Sequence, residues 1–86
     1  MITTSKVQDY IDSGHDAHAV ARWLINLGIN MHVPMQLDDL ADTSTVSNEV
    51  DAIVDCLEDK QYQDAINIAQ DSAQIILEDE GFDIST

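Results

Sequence analysis

The chain has 86 residues, 17 of them Asp or Glu against 3 Lys or Arg, for a formal net charge of −14. That balance argues against direct binding to nucleic acids or anionic membranes, which are themselves polyanions. A hydrophobic content of 44% is too high for an acidic disordered tail and predicts a folded body.

The length suits a single domain over residues 1–86 with a small core. The lone Cys56 excludes an internal disulfide framework and fits a reducing compartment. No segment approaches the roughly 18 apolar residues of a membrane span. Met1 to Lys6 lacks the apolar block of a secretion signal, so a cytoplasmic protein is expected.

The dominant hydrophobic period is helical. Ser5 and Gln8 have capping-box spacing ahead of Val7, Tyr10 and Ile11, and Ser13-Gly14 ends this first helix. A second helix is predicted from about His15 to Leu27, with Ala17, Val20, Leu24 and Leu27 inward and Gly28 as its stop. Ile29 to Val33 reads as irregular, and Pro34 opens a brief helix carrying Leu37, Leu40 and Ala41. Asp42 to Thr45 reads as a loop, with Ser44 or Thr45 capping the next helix.

In that next helix Val46, Val50, Ile53, Val54 and Leu57 make one continuous apolar face. A turn at Asp59-Lys60 leads to the longest helix, about Gln61 to Asp79. Its inner face is Tyr62, Ala65, Ile66, Ala69, Ala73, Ile76 and Leu77. Gly81 stops it, Phe82 folds back onto the core, and residues 83–86 form a disordered tail. The fold class is therefore all-α, a small bundle of four to five helices ending in an antiparallel helical hairpin.

The run Tyr62-Gln63-Asp64-Ala65-Ile66 with Ala69 and Ala73 gives Val46 to Glu80 the aromatic-then-small pattern of a packed helix pair. On those residues the segment resembles one tetratricopeptide-type hairpin. The resemblance covers under half the chain and implies hairpin geometry alone, because a solenoid needs at least three repeats.

The carboxylates are placed unevenly. Fourteen of them lie between Asp38 and Asp83, with Lys60 as the only internal counter-charge. Asp51, Asp55, Glu58 and Asp59 fall roughly 80–180° from the apolar face of their helix, in steps of about 5–6 Å. Like charges at i, i+4 are mutually destabilising, yet no lysine is interleaved. On the last helix Asp64, Asp71 and Glu78 recur every seven residues on the side away from the core. Ile68 and Ile75, also seven apart, flank them outside the core stripe. They are expected to pack against the first helices, the alternative being a homodimer seam edged by acids.

The motifs that carry chemistry are weak. His15 and His18 stand at i, i+3 beside Asp16, but no Cys pair or His-Glu-x-x-His spacing accompanies them, so no metal site is expected. Asp38, Asp42 and Glu49 match three positions of a calcium loop, which fails at Leu40 and at Thr43, where glycine is required. Nothing resembles a nucleophile elbow or a phosphate-binding glycine loop. Trp23 is expected to anchor the core, and Cys56 to be a helix-flank thiol with no activating cation. A non-enzyme without cofactors is expected.

Duplex DNA carries about one negative charge per 1.7 Å of axis, and rigid helices bearing carboxylates at each turn imitate part of that array. In size, charge excess and helical content the chain is similar to phage-encoded nucleic-acid mimics that inhibit restriction, CRISPR or repair nucleases. The resemblance implies a basic nucleic-acid-binding protein as partner, contacted by Asp51, Asp55, Glu58, Asp59, Asp64, Asp71 and Glu78. Two alternatives are a helical adaptor that recognises a partner helix through Ile68 and Ile75, and an antitoxin or immunity protein against a basic toxin.

Overall fold

A computed structural model describes residues 3–35 and 43–82, with the backbone alone over 43–46. The described residues form helices and connecting turns: α1 (Thr4–Asp12), α2 (Ala17–Asn30), α3 (Thr43–Glu58) and α4 (Tyr62–Asp79). They make a small all-helical bundle in which α4 touches each of the other three. No described helix is long and apolar enough to cross a membrane.

The cap of α1 differs from the expected one. Thr3 is extended, with φ −117 and ψ 162, and its hydroxyl accepts from the Lys6 amide at 3.4 Å. Ser5 therefore lies inside the first turn, and the Gln8 side chain donates forward to Asp12 at 2.8 Å instead of back to a cap. Gly14, at φ +100, ends the helix in the left-handed region that a side chain disfavours.

Asp16 caps α2 by accepting from the Ala19 amide at 2.7 Å, which leaves His15 outside the helix. At its other end α2 runs past the expected stop. Gly28 is helical and buried, and Ile29 after it is fully buried. A Cβ on Gly28 would sit 2.8 Å from the Ala73 Cβ and 3.4 Å from the Ala69 carbonyl. The glycine is there because α2 crosses α4 at this point, and only a residue without a side chain permits that approach. The buried face of α2 is accordingly Val20, Ala21, Leu24, Ile25, Gly28 and Ile29, while Ala17 and Leu27 are half-buried.

The connection after α2 is non-helical through Met35, Pro34 included. Leu37, Leu40, Ala41 and Asp42 lie outside the described residues. Helix α3 already includes Thr43, Ser44 and Thr45, so the expected loop and caps there are replaced by helix. Val50, Ile53, Val54 and Leu57 are buried, matching the predicted face; the Val46 side chain lies outside the described set.

The turn from α3 to α4 closes with the Gln61 amide on the Cys56 carbonyl at 2.8 Å and the Lys60 amide on Leu57 at 3.1 Å. This is a Schellman-type cap with Lys60 at φ +62 in the position usually given to glycine. The end of α4 repeats the motif. Gly81 sits at φ +90, the Phe82 amide reaches the Leu77 carbonyl at 3.0 Å, and Phe82 packs on the core. That cap carries the helix to Asp79, although three acids at its C-terminus oppose the helix dipole. Residues 83–86 lie outside the described set.

Candidate functional site

Apolar residues spaced for a helix fix which way the others point. Burying Val50, Ile53, Val54 and Leu57 turns Asp51, Asp55, Glu58 and Asp59 outward, and all four are exposed. In α4 the buried set is Ala65, Ile66, Ala69, Ser72, Ala73, Ile76 and Leu77. Asp64, Asp71 and Glu78 are exposed on the opposite side. The expected inner residue Tyr62 is half-buried, one turn before this set begins.

The turn at Lys60 brings carboxylates of both helices together. Burial pushes the Cys56 thiol above its ordinary value, and Asp64, Asp55 and Asp59 push it further the same way. A thiolate at that spot would face three anions from two helices, so Cys56 stays a thiol and a poor nucleophile at neutral pH.

Ile68 and Ile75 part company. Ile68 is half-buried against the core, whereas Ile75 is 45% exposed. Packing against the first helices, expected for both, therefore fails to cover Ile75. On α4, Ile68 and Ile75 stand roughly 40–60° round the helix from Ser72, between it and the acidic stripe.

Ser72 was not expected to matter. It is 1% exposed in the middle of the apolar face, and its hydroxyl donates to the half-buried Glu49 carboxylate of α3. The signal was a serine inside an apolar stripe, which needs a partner once buried. Among the α3 acids, Glu49 alone is half-buried.

Beside α2, Tyr10 packs in tilted contact with His15, ring centroids 3.9 Å apart, and with Trp23 at 4.1 Å. Trp23 is thus half-buried, packed against the core as expected but from its edge, within an aromatic cluster. His15 and His18 do not share a helix, which removes the i, i+3 pairing on which a metal-ligand face would depend. A hollow of about 320 Å³ opens beside Trp23, lined by Lys6, Leu27, Met31, Ile66 and Gln70 among others. Comparison with protein-family models, with curated proteins and with solved structures finds no match to this chain.

Proposed function

We propose that the chain is an acidic helical inhibitor that occupies the basic nucleic-acid-binding groove of a target protein in the cytoplasm. The observation that carries this reading is the gathering of Asp55, Asp59 and Asp64 around Cys56, continued by exposed acids along both helices. Asp51 to Asp59 sets four carboxylates within about 12 Å of helix axis, a mean step of about 4 Å. One strand of duplex DNA carries a charge every ~3.4 Å. The density therefore matches a single phosphate strand, and the longest molecular dimension of 35 Å corresponds to about one duplex turn.

The reading takes α3 and α4 as an antiparallel hairpin. Supporting this, Glu49 meets Ser72 toward one end while Cys56 lies near Asp64 toward the other, so residue numbers run in opposite senses. In that arrangement helical phase turns Asp55 and Asp59 to the same outer face as Asp64, Asp71 and Glu78, while Asp51 and Glu58 lie about 160–180° from the line of contact, on the far side of α3.

The test is competition. Duplex DNA should displace the chain from its target, and affinity should fall steeply between low and moderate salt. Asp51→Lys with Asp55→Lys should lower affinity at least about a hundredfold, as each reversal opposes the field, while leaving the helical circular dichroism intact. Binding that ignores DNA, salt and this double variant would overturn the reading. The adaptor alternative draws its own support from Ile75, a large apolar side chain left 45% exposed.

A further inference from the structure

Helical phase gives the outer face of α3 and α4 a profile across its width. Taking the Glu49–Ser72 bond as the line where the helices face each other, Cys56 and Ala52 lie about 20° and 60° outward from it on α3. On α4, Ile68 and Ile75 lie about 40° and 60° outward in the same sense. Asp59 and Asp55 follow at about 80° and 120°, and Asp64, Asp71 and Glu78 at about 80–120° on the other helix. The face is thus a shallow apolar furrow, Ala52, Cys56, Ile68 and Ile75, with a carboxylate wall along each edge. Ala52 and Ile75 are exposed, and Cys56 and Ile68 half-buried.

Two heptad series run along the wall and the furrow of α4: Asp64, Asp71, Glu78 and Ile68, Ile75. A helix laid between α3 and α4 would meet apolar positions every seven residues and acids on both flanks, the pattern of a coiled-coil seam with charged edges. A second copy of this chain would bring acids against acids, with a net charge of −14 on each side. A nucleic acid would find the same sign.

We infer that this furrow seats a cationic amphipathic helix of the partner, its apolar stripe on Ile68 and Ile75 and its Lys or Arg flanks against the two carboxylate walls. The inference rests on the proposed function for a basic partner and on the antiparallel pairing. It adds that the partner's contacting element is helical and carries apolar side chains.

The probe is a synthetic peptide of about three heptads, Leu at a and d and Lys at e and g, set beside a scrambled peptide of identical composition. Both are titrated at low salt against the full chain. The patterned peptide should bind at least about tenfold more tightly. Ile75→Ser should remove roughly tenfold of its affinity and leave the scrambled peptide unaffected. Met31→Ser, on the opposite apolar surface, should change neither.

Equal affinity for both peptides, or indifference of the patterned one to Ile75→Ser, overturns the helical seat and leaves the basic-partner reading standing. Binding of neither peptide overturns both. Self-association of the free chain that Ile75→Ser abolishes assigns the furrow to a second copy and overturns the inference.

Discussion

Helix α4 has two working sides of opposite character. Toward α2 the contact is close and largely apolar. Gly28 lies against Ala69 and Ala73, and α2 brings a single formal charge, Arg22. Toward α3 the contact includes a serine and a carboxylate, and α3 itself carries Glu49, Asp51, Asp55 and Glu58. Self-repulsion on the α3 side lowers stability, and burial on the α2 side offsets it. A small bundle can hold an array of like charges on one face when another face is packed tightly enough to keep the frame rigid.

The largest effect on stability is expected where the packing is closest. Gly28→Ala places a Cβ 2.8 Å from Ala73. Overpacking costs about 1–3 kcal/mol and outweighs the ~1 kcal/mol gained in helix propensity. Thermal unfolding should move down by roughly 5–10 °C, with partial recovery when Ala73→Gly is added. A rise in Tm would mean that α2 does not approach α4 closely.

Ser72→Ala tests the polar contact. It strips the half-buried Glu49 carboxylate of its hydroxyl donor, at a cost of about 1 kcal/mol. Glu49→Gln keeps an acceptor and should lose less, as read from denaturant midpoints. Equal and negligible losses would mean that water serves Glu49 as well as Ser72 does.

Removing charge from α3 should act the other way. Asp55→Asn relieves repulsion from Asp51 and Asp59 and should raise Tm by about 2–4 °C at low salt. The gain should shrink in molar salt, where the Debye length falls to about 3 Å. Destabilisation at low salt would show that Asp55 makes a favourable contact.

The smallest effect is kinetic. Asp64→Asn removes the anion that acts most strongly on Cys56, so alkylation by iodoacetamide at mildly alkaline pH should quicken. The linkage has a definite sign. A thiol raised in the fold above its ordinary value of 9.0 contributes stability fully below that value. The contribution is lost as pH rises through the folded value. Cys56→Ala should therefore flatten the alkaline limb of the stability profile, and an unchanged limb would exclude this coupling.

The two C-terminal helices were legible because their apolar residues repeat at one period over many turns. Val50, Ile53, Val54 and Leu57 in α3 and Ala65, Ile66, Ala69, Ala73, Ile76 and Leu77 in α4 are buried as that spacing required. The outward acids followed, since whatever is not on the inner stripe faces away from it. The gathering of Asp55, Asp59 and Asp64 around one thiol was less accessible, because it depends on how two helices meet at the Lys60 turn. The expected cap of α1 gives way to Thr3, and α3 already includes Thr43, ahead of the expected caps Ser44 and Thr45.

Local order alone determined the helical character of the chain, its inner stripes and the excess of anions on the last two helices, since each depends only on periodicity and composition. Tertiary structure decided the rest. Gly28 reads as a terminator until another helix is seen passing over it, and Ser72 reads as a flaw until Glu49 reaches it. Ile68 and Ile75 look equivalent on their own helix and differ only in what packs beside them. A residue's neighbours along the chain set its direction; what it meets there is set by segments far away in sequence.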